Sequence, residues 1–171
     1  ASSEDTARLR KIKRVMENRQ EGIIVLENIA DPHNAAAVWR TAEAFGFQKI
    51  YLVYSKEKAI NPKKIGKKSS GSANKWLSFK IFKNIDECYA ELRKDGYKIY
   101  ATVLDEKANQ ISDVRFQKKK IAMVIGNEHR GLLAAPHEAG IGNFPGAFAG
   151  REKADPCGCC LAGMQFAGVR N

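Results

Sequence analysis

Apolar residues recur at helical spacing over residues 6–19, where Leu9, Ile12, Val15 and Met16 form one stripe that Asp5 or Thr6 can cap. The rest of that stretch is basic: Arg8, Arg10, Lys11, Lys13, Arg14 and Arg19. Such a helix is expected to dock its stripe on the domain and turn its charge outward. The run Gly22-Ile23-Ile24-Val25-Leu26 is short and rich in branched residues, which predicts a strand of a parallel sheet buried on both faces. A helix follows over 35–45, closed by Gly46, then strands over 49–54 and 76–82. Asn84 caps a helix through residue 95, with Ile85, Cys88, Tyr89 and Leu92 on one face and Gly96 as its stop. Strands over 98–104 and 121–125 complete the alternation. Strands interleaved with helices predict an α/β domain, its sheet mostly parallel and covered by helices on both faces.

The pattern breaks after Leu133. Residues 134–171 are rich in glycine, with Pro136, Pro145 and Pro156 among them, and no period survives. By pattern they read as loop. The chain therefore divides into a basic N-terminal helix (1–20), an α/β core (21–133) and an atypical tail (134–171).

Charge points to a class of partner. The 171 residues carry a formal net charge of +10 at 44% hydrophobic content, the balance of a globular domain that favours polyanions. No apolar run reaches the roughly 18 residues of a membrane span, and no signal-peptide layout opens the chain, so the cytoplasm is the expected compartment. Cys157, Cys159 and Cys160 crowd together, but their spacing is not that of a zinc knuckle, so no metal is expected. Neither a G-x-G-x-x-G fingerprint nor a phosphate-loop lysine motif is present.

Ligands of open α/β sheets sit beyond the carboxyl ends of the strands, which singles out the loops after Leu26, Leu104 and Ile125. The first loop contains Asp31-Pro32-His33-Asn34 and opens a helix carrying Arg40. Asn34 stands at or near the helix N-cap, where free N–H groups attract an anion. Taken singly, Asn34 also reads as a plain cap and Arg40 as a plain surface charge. The strand over 121–125 ends in Gly126-Asn127-Glu128, then Arg130-Gly131. Gly126 is expected to let a ligand approach the backbone. A third stretch interleaves Lys63, Lys64, Lys67, Lys68 and Lys75 with glycine and serine and ends at Trp76. It suits phosphate contacts and base stacking, or equally a solvated loop.

Together these residues resemble the TrmH (SpoU) family of the SPOUT superfamily over about residues 6–133. Leu26 to Gly46 resembles its first motif, with Asn34 and Arg40 in place. Ile121 to Gly131 resembles its second, Gly-x-Glu then Gly, here Gly126, Glu128 and Gly131. The resemblance implies a deep trefoil knot that binds S-adenosylmethionine and a homodimer. It also implies methyl transfer to a ribose 2′-hydroxyl of RNA, with Arg40, Asn34 and Glu128 as catalytic residues. Thr102, Leu104, Gly126 and Asn127 would then line the cofactor site. Arg8, Lys11, Arg19, His33, Lys64, Lys67 and Lys68 would hold the RNA. A short basic helix leading into the first motif is similar to the enzymes that methylate a guanosine of the tRNA D-loop; the ribosomal RNA enzymes commonly carry a larger domain in front. The family's third motif, a strand ending in Ile-Pro-Met followed by Ser-Leu-Asn-Val-Ser, has no counterpart in 134–171. The alternatives are thus an RNA-binding domain without catalysis and a ribosomal RNA methyltransferase.

Overall fold

A computed structural model describes residues 9–10, 13, 20–65, 76–103, 120–133 and 140–142. Six strands form one sheet: β1 (Gln20–Glu27), β2 (Phe47–Val53), β3 (Ser78–Phe82), β4 (Lys98–Val103), β5 (Ile121–Ile125) and β6 (Gly140–Gly142). The strand order is β3-β2-β1-β5-β4-β6, and every pairing between them is parallel. Among the described residues three helices lie between strands: α1 (Pro32–Ala44), the single turn α2 (Pro62–Ile65) and α3 (Ile85–Lys94).

The unbroken apolar run of β1 is explained by its central place. Ile24 and Leu26 face a cluster containing Ala35, Val38, Trp39 and Ala42 of α1. Ile23 and Val25 face the other cluster, with Cys88, Tyr89 and Leu92 of α3. Cys88 is the small buried residue the pattern predicts. Asn84 caps α3 as expected, its Oδ1 accepting from the Glu87 N–H at 2.8 Å. Gly96 ends that helix at φ +79°, a conformation an L side chain resists.

Four features differ from what the sequence pattern predicts. Helix α1 starts three residues before Ala35, because Asp31 is the cap: its carboxylate accepts from the His33 N–H at 2.7 Å, and Pro32 fits the first turn, where its missing donor costs nothing. Asn34 is therefore not the cap but a first-turn residue whose amide is free to act elsewhere. Strand β3 starts at Ser78, which leaves Trp76 in a turn with 70% of its surface exposed. Within the stretch that reads as loop, Gly140-Ile141-Gly142 pairs in parallel with Ala101-Thr102-Val103, covering the open edge of β4. A bare strand edge offers main-chain partners to any extended segment, whatever its side chains. Finally Leu9, helical like Arg10 and Lys13, is 65% exposed rather than docked on the core.

From β1 the chain moves outward through β2 to β3, while β4, β5 and β6 lie on the other side. The order reverses between β1 and β5, which are in register as Leu26↔Ile125. A crevice beyond the carboxyl ends of two such strands is the ligand position of open α/β sheets.

Candidate active site

The loops leaving β1, β2 and β5 meet at this crevice and are tied together by two asparagines. Asn28 sits at φ +52°, in the left-handed region that asparagine tolerates better than most residues. Its Oδ1 accepts from the backbone N–H groups of Ser55 (3.0 Å), Lys56 (3.0 Å) and Glu57 (3.3 Å). Its Nδ2 donates to Ser55 Oγ at 3.1 Å. Asn127 mirrors this on the β5 side, with Oδ1 accepting from the N–H groups of His129 (2.9 Å) and Arg130 (3.1 Å). Its Nδ2 donates to the Asn28 carbonyl at 2.6 Å, joining the two loops. An ion pair between Glu57 and Arg130 closes the third side.

Glu128 joins the two motifs. Its carboxylate accepts from the backbone N–H groups of Ala30 (3.2 Å) and Asp31 (3.3 Å) and from Asn34 Nδ2 (3.1 Å). Burial works against its charge, but the hydrogen bonds from backbone N–H groups and from Asn34 outweigh it, and the carboxyl is held below its ordinary range. Asn34 thus orients Glu128, and Glu128 fixes the entry to α1. Arg40, six residues further along α1 and so about 9 Å up its axis, is exposed. The structure therefore brings Asn34 and Glu128 together and sets Arg40 on the same rigid element.

Among the proposed cofactor residues, Thr102 donates through Oγ1 to the Val124 carbonyl at 3.1 Å. The Asn127 side chain is committed to the loops. At Gly126 the fold itself requires glycine: a Cβ there would lie 2.3 Å from the Gly131 carbonyl carbon and 2.5 Å from the Leu132 nitrogen. That closeness follows from the two hydrogen bonds, each 2.9 Å, between the main chains of Asn127 and Gly131. Leu104 lies outside the described residues, as do Arg8, Lys11, Arg19, Lys67, Lys68 and the three cysteines of the tail. His33 and Lys64 are both exposed. Among the described residues no group of three or more metal-ligating side chains is placed to hold an ion.

One acidic residue escapes the sequence pattern. Glu27, at the end of β1, has no exposed surface. Its Oε2 accepts from the Leu133 N–H at 3.0 Å, whereas Oε1 has no hydrogen-bond partner among the described residues. Burial pushes its carboxyl above the ordinary range, and the Leu133 N–H only partly opposes this. The available signal was an acid directly continuing the apolar run Ile23 to Leu26.

Comparison with known proteins bears on family and fold. The chain is 31% identical over 130 residues to the tRNA (guanosine(18)-2′-O)-methyltransferase of Thermus thermophilus, covering 74% of this chain and 63% of that protein. Its counterpart in Aquifex aeolicus is 29% identical over 126 residues, 73% of this chain and 58% of the relative. The chain thus spans about three fifths of the length of these relatives. The crystal structure of the A. aeolicus TrmH/SpoU tRNA modifying enzyme superposes with a TM-score of 0.72 at 24% identity, over 95% of this chain and 83% of that one. An AdoMet-bound rRNA methyltransferase from Sinorhizobium meliloti gives 0.73 at 20% identity, over 90% and 59%. At these identities the superpositions show the fold. The profile of the SpoU rRNA Methylase family matches residues 21–139, from β1 past the second motif, and the chain belongs to that family.

Proposed function

We propose that this chain transfers a methyl group from S-adenosylmethionine to a ribose 2′-hydroxyl of tRNA, with a guanosine of the D-loop as the target. The observation that carries this reading is the contact between Glu128 and Asn34, which locks the two family motifs together and fixes the helix bearing Arg40. The relatives from T. thermophilus and A. aeolicus are tRNA (guanosine(18)-2′-O)-methyltransferases, which supports the choice of guanosine in tRNA.

The described residues expected at the methyl donor lie at the carboxyl ends of β4 and β5. Thr102, Gly126 and Asn127 use their side chains, or the lack of one, to hold the ends of β4 and β5 and the loop 126–131 in place. Loops held in this way keep the carboxyl ends of β4 and β5 fixed at the crevice where an adenosine would lie. S-adenosylmethionine supplies an activated methyl on a sulfonium, so the protein's task lies with the acceptor hydroxyl. A guanidinium stays protonated, which suits Arg40 to holding a phosphate and stabilising the developing alkoxide rather than to removing a proton. The neighbouring RNA phosphate would take the proton.

Exposed His33 and Lys64 belong to the RNA surface in this reading, together with Arg8, Lys11, Arg19, Lys67 and Lys68, and the basic helix over 1–20 serves as an RNA-binding arm. A homodimer in the cytoplasm, built on a trefoil knot, completes it. Among the described residues no helix is long and apolar enough to cross a membrane.

The test is transfer of labelled methyl from S-adenosylmethionine to a tRNA transcript, with a ribosomal RNA fragment in parallel. The parent should label the tRNA, and Arg40→Ala should abolish labelling with its unfolding midpoint unchanged. RNA binding without heat on titration with S-adenosylmethionine would replace the enzyme by an RNA-binding domain. Preferential labelling of the ribosomal fragment would move the substrate.

A further inference from the structure

The loop following β2 returns through α2 to the start of β3 and leaves a groove of about 710 Å³ on the α1 side of the sheet edge. Its walls are Ile60, Pro62, Leu77, Phe79 and Ile81, with Lys63 at the rim. The size falls in the range of pockets that take organic ligands, roughly 300–1,000 Å³. Ile81 is 51% exposed and Trp76, beside Leu77 in the chain, is 70% exposed. Large apolar side chains left open along one edge mark a surface that meets something.

We propose that this groove receives unstacked nucleobases of the RNA substrate, their phosphates lying on Lys63 and Lys64 and one base stacking on Trp76. The proposal rests on the methyltransferase reading and extends it to how the RNA is held beside the target nucleotide. Charge selects the occupant. Residues 54–65 carry Lys56, Lys58, Lys63 and Lys64, all exposed, against one acid, Glu57, which is engaged by Arg130. Residues 76–82 carry no acid at all. A second copy of a chain with a net charge of +10 would be repelled from such a rim, whereas a polyanion with flat apolar bases is attracted to it. Aromatic faces within a cationic groove are the usual platform for unpaired bases. Position agrees as well. Phe79 packs edge-on against Trp39 with centroids 4.9 Å apart, and Trp39 immediately precedes Arg40. Trp39 points into the core and Arg40 to solvent, so the helix that carries the candidate catalytic arginine packs directly behind a residue lining the groove.

The two tryptophans of the chain make the test direct. Trp39 has no exposed surface and escapes acrylamide, whereas Trp76 is open to it. Adding an unmodified tRNA transcript at low salt should cut the acrylamide quenching constant at least about twofold, and Trp76→Phe should remove most of the quenchable signal. Trp76→Ala should weaken tRNA binding about tenfold, the typical loss of one stacked base. Ile81→Asn, an exposed and uncharged change, should weaken it severalfold. Neither should alter the slope of log affinity against log salt, because every lysine that meets a phosphate is kept. In the transfer assay both should raise KM for tRNA and leave kcat. The groove proposal is overturned if tRNA binds and is methylated while Trp76 stays quenchable and both variants bind within twofold of the parent. It is equally overturned if raising the protein concentration without RNA protects Trp76. Absence of any tRNA binding would defeat the methyltransferase reading itself and the groove with it.

Discussion

Replacing Asn28 by alanine should cost this domain a large share of its stability. One amide oxygen accepts from three consecutive N–H groups, those of Ser55, Lys56 and Glu57, in a partly buried loop. At about 1 kcal/mol net for each hydrogen bond, their loss amounts to about 3 kcal/mol. Alanine must also adopt φ +52° without a side chain that suits it, which adds about 1–2 kcal/mol. The sum, about 4–5 kcal/mol, approaches the whole stability of a marginal domain at about 5–15 kcal/mol. Two further variants separate the contributions. Asn28→Gly relieves the backbone but keeps the hydrogen-bond loss, so it should be about 1 kcal/mol better than alanine. Asn28→Asp keeps the acceptor and gives up only the donor to Ser55 Oγ, so it should stay closest to the parent. Urea titration followed by the fluorescence of buried Trp39 measures all three, given unchanged m-values. If Asn28→Ala lies within about 1 kcal/mol of the parent, or the glycine variant is the less stable of the two, the loop network does not carry the weight assigned to it.

Two acids at the crevice should show opposite pH behaviour. Glu128 has a depressed carboxyl, so the stability it contributes is present above its ordinary value of 4.5 and is lost as pH falls through the lower folded value. Glu128→Gln should therefore cost about 1 kcal/mol at pH 7, modest because the group is partly exposed, and the gap should narrow as pH falls below 4.5; a constant gap would contradict this. Glu27 has a raised carboxyl, so its contribution is present below 4.5 and is lost as pH rises through the higher folded value. Glu27→Gln keeps an acceptor for Leu133 and should gain on the parent as pH rises above 4.5, whereas parallel stability curves would show that the buried oxygen is satisfied in solution. Replacing Lys63, Lys64, Lys67 and Lys68 by glutamine should flatten the salt dependence of RNA affinity by roughly 0.7 in slope for each phosphate no longer neutralised. An unchanged slope would assign those lysines to solvent.

The sequence alone determined the elements that a local rule governs. The run Ile23 to Leu26 and the stripe Ile85, Cys88, Tyr89 and Leu92 became a central strand and a packed helix, because burial follows periodicity wherever a whole face is apolar. The Asn84 cap and the Gly96 stop were legible for the same reason: each acts on backbone groups within three residues of itself. The two motifs were legible as residue types at fixed spacing, though not as contacts. Tertiary structure decided what depends on distant partners. Asn34 looks like a cap in a window of ten residues, yet its amide donates to Glu128, 94 positions away. Gly126 reads locally only as a glycine after a strand, and what bars a side chain there is the main chain of Gly131 and Leu132. Asn28 and the edge strand Gly140–Gly142 carry no local pattern that announces them, and Glu27 shows only as an acid continuing an apolar run. Each is set by which strands lie side by side, and that order follows from burying both faces of the whole sheet at once.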